Sequence, residues 1–144
     1  NLFVTKYNCA GCHHVTNPGY GSGSTVADFK DIGLENNYVD LGKGAITGVS
    51  TDNGTFKVPS LRNVALTAPY MHDGRFATLG DVIDHYSHGI NASPNLDVIL
   101  QANGKPMQMN ISADEKAALI AFLNTFTDYN VTVATKFSNP FKVK

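Results

Sequence analysis

"YNCAGCHH", residues 7–14, decides how this chain is read. Cys9 and Cys12 are the only cysteines among its 144 residues, and His13 follows the second at once. Three chemistries use this spacing. A thioredoxin-like dithiol belongs in a βαβ unit, and the residues around Cys9 carry no strand pattern. A closed zinc site needs four ligands, and His72, His85 and His88 lack the paired spacing of finger-type sites. Covalent haem attachment employs all three residues. The two thiols add across the haem vinyl groups, and the adjacent imidazole binds the iron. The motif therefore predicts one covalent haem c on Cys9, Cys12 and His13; the other two readings leave His13 unused.

The bulk composition narrows the partners. With 16% charged residues and a net charge of −1, the chain lacks the basic excess of a nucleic-acid binder. No apolar run approaches the roughly 20 residues that span a bilayer, so no membrane span is expected. No secretory leader pattern is present. The chain opens at Asn1-Leu2-Phe3 just ahead of the motif, which reads as a mature product or a fragment of something longer. Thioether attachment occurs outside the cytoplasmic membrane, so a periplasmic or extracytoplasmic bacterial location is expected. Thirteen glycines, six prolines and no tryptophan imply much loop, and a flat apolar cofactor would organise the core of such a chain.

Helical signals are few but clear. Residues 2–8 read as the end of a short helix. Residues 15–57 read as a long polar, glycine-rich loop with one turn near Asp28–Ile32. Pro59 and Ser60 open a short helix that Pro69 stops. Thr78 and Asp81 form a weak capping box for a helix to about Ser87, with Leu79, Val82, Ile83 and Tyr86 on one apolar stripe. Gly89 ends it. Asp81, Asp84, His85 and His88 share another face, which reads as solvated. Ser112 and Glu115 make a second capping box for a helix over about Ala113–Thr125, buried through Leu119, Ile120, Phe122, Leu123 and Phe126. The tail, 129–144, alternates weakly and reads as an extended arm. The expected class is mostly α: a class I cytochrome c-like haem domain with long loops over 1–128, followed by the tail.

The sixth iron ligand sets the chemistry. A methionine or histidine gives an electron-transfer site, tyrosinate lowers the potential, and an open position admits peroxide. Tyr86 faces the interior on its stripe. Met107 and Met109 lie in a loop just before the last helix, and Met71 lies in the turn ahead of the Tyr86 helix. On the residues alone these candidates stand level.

"FKVPSLRNVALTAPYMHDGRFATLGDVIDHYSHGI", Phe56 to Ile90, resembles the C-terminal haem domain of bacterial di-haem cytochrome c peroxidases and MauG-like proteins. "SADEKAALIAFLNTFTD", Ser112 to Asp128, resembles the helix that closes that domain. With "CAGCH" ahead, the likeness covers most of 2–128. It implies an electron-transfer domain that relays electrons to or from a partner peroxidatic haem, with hydrogen peroxide as the family substrate. The partner is a second haem domain or another redox protein. In the peroxidases the distal ligand of this domain is a methionine on the helix after "TAPY..DG"; the matching place here is Tyr86, and MauG-like members carry tyrosine there. The likeness also implies that the carbonyls of Thr67 and Pro69 bind calcium between two domains. Arg62 offers a cation for a haem propionate. His72 and Asp73 either line the haem edge or make a turn. The competing reading is a single-haem peroxidase with an open or labile distal position, in which His72, His85 or His88 serves as acid/base.

Overall fold

The computed structural model describes residues 1–13, 28–139 and 141. The first part of the expected long loop, 15–27, lies outside the described residues, as do residue 14 and residues 140 and 142–144 of the tail.

About 40% of the described chain is helix and 10% strand, the helices in short pieces. Leu2–Lys6 forms a π-helical turn and Cys9–Gly11 a 3₁₀ turn. Asn8 joins them in the left-handed region at φ 49°, a conformation asparagine tolerates better than most residues. Helix α1 is Gly44–Thr47, α2 is Leu79–Asp84, α3 is Ala113–Asn124 and α4 is Asn130–Val133. Both expected capping boxes form, and each is complete. The Thr78 hydroxyl accepts from the Asp81 amide while the Asp81 carboxylate accepts from the Thr78 amide. Ser112 and Glu115 do the same for α3.

Several expectations are corrected. Residues 28–57 are not a featureless loop. Strand β1, Phe29–Lys30, pairs antiparallel with β2, Phe56–Lys57, and α1 and a 3₁₀ turn at Ser50–Asp52 lie between them. Strands β3, Gln101–Ala102, and β4, Lys105–Pro106, form a hairpin. Its two turn residues, Asn103 and Gly104, both have positive φ, the geometry for which Asn-Gly is favoured. The segment after Pro59 does not become helical until Val64–Leu66, a single 3₁₀ turn. Instead of an extended arm, the described tail makes α4 and a 3₁₀ turn at Thr135–Phe137.

Apolar residues gather in two clusters. The first joins Phe3, Tyr7, Leu61, Leu79, Ile83, Leu119 and Leu123. It forms because α3 packs against α2, the N-terminal turn and the Val64–Leu66 turn. Phe3 meets Phe122 with ring centroids 5.2 Å apart. Lys116 pairs with Asp84 at 2.6 Å across α2 and α3. The Asn63 amide donates to the Phe126 carbonyl, and the Asn63 side chain accepts from the Asp128 amide. The second cluster joins Ile90, Leu96 and Leu100. Ile32 and Tyr86 pack on it, and Met109 packs against both clusters.

Candidate functional site

Cys9 and Cys12 sit on and just after a single 3₁₀ turn, both half-buried and not disulfide-bonded. Burial pushes the Cys9 thiol up to about 11, with the neighbouring Cys12 adding to the shift. Burial raises Cys12 as well, helped by Asp97. A redox-active Cys-x-x-Cys works through a depressed pKa, so this pair is built against that chemistry. Among the described residues no group of three or more His, Cys, Asp or Glu side chains is arranged to hold a metal ion.

His13 is oriented by the backbone. Its Nδ1 lies 3.1 Å from the Pro59 carbonyl oxygen. A carbonyl only accepts, so Nδ1 carries the proton, and the lone pair of the neutral ring resides on Nε2. Metal-binding histidines are fixed in this manner, the second nitrogen donating to a carbonyl or carboxylate. The Pro59 carbonyl is itself placed by the β1–β2 ladder, which the Val58 amide extends by donating to the Asp28 carbonyl at 2.8 Å. Buried Val58 and Leu61 anchor the segment on either side.

Tyr86 lies not on α2 itself but on the π-helical turn that continues it, His85–Gly89. Such turns cluster at functional sites. Tyr86 is half-buried against the second cluster. Desolvation raises its pKa strongly, and the nearby Cys12 and Cys9 raise it further. On its own the protein holds Tyr86 as a neutral phenol; a phenolate here would need a cation beside it.

The other sequence candidates separate. Met109 packs against both clusters, whereas Met71 and Met107 pack into neither. Met71 occupies a turn at φ 71° between Tyr70 and Phe76. The Met107 amide donates to the Leu100 carbonyl just past the hairpin. Arg62 is exposed and takes no part in the ion pairs found among the described residues. Thr67 and Pro69 are exposed at the end of the Val64–Leu66 turn, where the Thr67 hydroxyl donates to the Val64 carbonyl. His72 is exposed and stacked on Phe56, centroids 3.7 Å apart. Asp73 pairs with Arg75, which reaches on to Glu35 and the Leu34 carbonyl, so "HDG" makes a braced turn.

His85 overturns the solvated reading of its face: it is 5% exposed. Loop 31–34 covers it, and the His85 Nε2 donates to the Ile32 carbonyl at 2.9 Å. Burial accordingly lowers its pKa. His88 is exposed, as expected. Sequence reading missed Ser87, 3% exposed, whose hydroxyl accepts from the Ile111 amide at 2.9 Å.

No family model matches the chain. Individual proteins do. A methylamine utilization protein MauG of Methylorubrum extorquens is 38% identical over 125 residues, covering 86% of this chain and 32% of its own. A cytochrome c551 peroxidase of Nitrosomonas europaea is 32% identical over 127 residues, covering 88% of this chain and 32% of its own. In structure, a MauG-like protein described as associated with microbial copper homeostasis superposes with a TM-score of 0.75 at 36% identity. That alignment covers 98% of this chain and 49% of the other. The chain thus spans about a third of the length of these curated relatives. With the cysteine motif, the His13–Pro59 geometry and these alignments in agreement, the chain belongs to the family of MauG and the di-haem cytochrome c peroxidases, as its C-terminal domain.

Proposed function

We propose that this domain carries one haem c and relays electrons to or from a partner haem. The residues present fit that group. Cys9 and Cys12 are unpaired thiols for the two thioethers. His13, steered by Pro59, presents Nε2 as the fifth ligand. Tyr86 is the sixth, in preference to Met109, Met107 and Met71, on its packing against the second cluster and on the family position, where MauG-like members carry tyrosine. When bound, the haem would supply one-electron chemistry at iron. The order of elements, motif near the N-terminus and packed helix near the C-terminus, supports a class I cytochrome c-like arrangement. Arg62 is placed in solvent, open to a propionate or to a partner's carboxylate. The calcium reading of Thr67 and Pro69 rests on family position alone.

The observation that carries the proposal is the His13 Nδ1 to Pro59 carbonyl bond, which sets the imidazole for metal binding. Peroxide, the substrate that the relatives' names suggest, would be reduced at the partner haem, with electrons passing through this domain. The single-haem peroxidase reading is the weaker. It needs a histidine acid/base, and His85 is engaged with Ile32 while His72 stacks on Phe56. No helix among the described residues is long and apolar enough to cross a membrane, which agrees with an extracytoplasmic site of action.

Expression with a c-type haem maturation system tests the proposal. The expected product has the mass of polypeptide plus one haem and a tyrosinate-type ferric spectrum that Tyr86→Phe abolishes. A colourless product would end the haem reading. A high-spin spectrum that responds to peroxide would favour the peroxidase.

A further inference from the structure

Tyr86 is flanked in sequence by two buried residues, His85 and Ser87, each tethered to a distant segment. On one side, His85 donates from Nε2 to the Ile32 carbonyl at 2.9 Å. Its ring stands edge-on to Tyr86, centroids 5.2 Å apart at 70°, and tilts against Phe76 at 5.8 Å. On the other side, the Ser87 hydroxyl accepts from the Ile111 amide at 2.9 Å and its carbonyl accepts from the Asn110 amide at 3.1 Å. Ile32 and Met109, which pack on the same cluster as Tyr86, lie on or next to the segments these tethers grip.

The tethers fall on the first and third residues of the π-helical turn. A π turn is rare, and a sequence adopts it chiefly as a single bulge within a helix. Here the second residue of that bulge is Tyr86, which packs on the second apolar cluster. The loop side is stiff as well. Gly33 has φ 67°, its amide donates to Asp31 Oδ1 at 2.8 Å, and its carbonyl accepts from the Asn91 amide at 2.8 Å. The Ile32 carbonyl is therefore a fixed point, not a floppy one.

We propose that His85 and Ser87 are positioning residues: together they hold the π turn open and set the direction of the Tyr86 phenol. The inference rests on the reading of Tyr86 as the sixth iron ligand. A ligating side chain must be held within about 0.5 Å and 10–20° to bind well. A phenol on an unsupported turn would exchange with water or added ligand.

The test uses the haem-loaded protein and compares wild type with Tyr86→Phe, His85→Phe, His85→Gln and Ser87→Ala. His85→Phe keeps a ring but loses the donor; His85→Gln keeps a donor. The readings are the ferric optical and electron paramagnetic resonance spectra and the rate of cyanide binding, with haem content and circular dichroism as controls on folding. The expected result is a mixed-ligand spectrum in His85→Phe and Ser87→Ala, with cyanide binding faster by about tenfold, the scale of one lost hydrogen bond. His85→Gln should stay near wild type. Wild-type spectra and rates in His85→Phe and Ser87→Ala, alongside a changed Tyr86→Phe spectrum, overturn the positioning role and leave the ligand reading standing. An unchanged Tyr86→Phe spectrum overturns both. Should His85→Phe fail to fold, Ser87→Ala decides by the same readings.

Discussion

The Tyr7 hydroxyl donates to Glu115 Oε2 at 2.7 Å, although 108 residues separate the two in sequence. Lys6 pairs with the other carboxylate oxygen, and the Ser112 amide donates to Oε2. One carboxylate therefore completes the cap of α3 and fastens the N-terminal turn to it. These donors, Lys6 foremost and Tyr7 next, hold Glu115 down to about 2, from an ordinary 4.5. A depressed folded-state pKa contributes stability in full above the unfolded value and loses it as pH falls through the folded one. Stability should therefore decline between about pH 4.5 and pH 2. Urea midpoints across that range check it, and Glu115→Gln should flatten the decline. Equal slopes for both proteins would refute the assignment.

The two capping boxes are separable contributions. Ser112→Ala and Thr78→Ala should each cost about 1 kcal/mol. Because the caps serve different helices, the double variant should lose close to the sum. Denaturant titration of the four proteins gives the answer, and a negligible loss in either single variant would show that its box is not supporting its helix.

Leu119 is 4% exposed at the centre of the first cluster. Leu119→Ala should cost 2–5 kcal/mol, on the order seen for buried leucines. Leu119→Met conserves volume and should cost less than about 1.5 kcal/mol. Thermal or chemical unfolding of the pair distinguishes a packed core from a loose one, in which both losses would be small.

Glycines 33 and 48 form a matched pair. Both have φ near 68°, at 67° and 68°. A Cβ on Gly33 would come within 2.6 Å of the Asn91 carbonyl oxygen, whereas one on Gly48 would meet nothing within 4 Å. Gly48→Ala should lose about 1–2 kcal/mol, the left-handed penalty alone. Gly33→Ala should lose clearly more, because backbone must move. Equal losses would mean that the 31–34 loop yields easily, and would weaken its role as the anchor for His85.

The thiols give a prediction for the haem-free chain. Burial holds Cys9 up to about 11, so its thiolate is scarce at neutral pH. Alkylation of Cys9 should be slow at pH 8 and should rise with pH until near 11, whereas an unperturbed thiol levels off near 8.5. Site-resolved mass spectrometry after iodoacetamide pulses follows it. Fast labelling at pH 7 would contradict the burial.

What was legible in the sequence was local. The capping pairs Thr78–Asp81 and Ser112–Glu115 span three residues, and both form. Cys-x-x-Cys-His pointed through its spacing to c-type haem, the cofactor that the MauG and cytochrome c peroxidase relatives imply. The Tyr86 stripe was legible as interior, though the turn beneath it is π rather than α. Most of the errors were made by distant parts of the chain. His85 sits among acidic neighbours, and only the Ile32 carbonyl, 53 residues earlier, makes it a buried residue. Strands β1 and β2 are two residues each, too short to leave an alternation. The Asn103-Gly104 hairpin did carry a readable signal, the dipeptide that supplies two consecutive positive φ angles. Ser87 carried none, since a buried serine accepting from a remote amide looks like any other serine.

The fastening of Tyr7 to Glu115 has a consequence for how the chain matures. A ribosome releases the cysteine pair long before it makes α3. Until that helix arrives, Phe3 lacks Phe122 and Tyr7 lacks its carboxylate. Until the chain is complete, the sulfur of Cys9, a residue that packs on the first cluster, must therefore be more open to chemistry than in the finished fold.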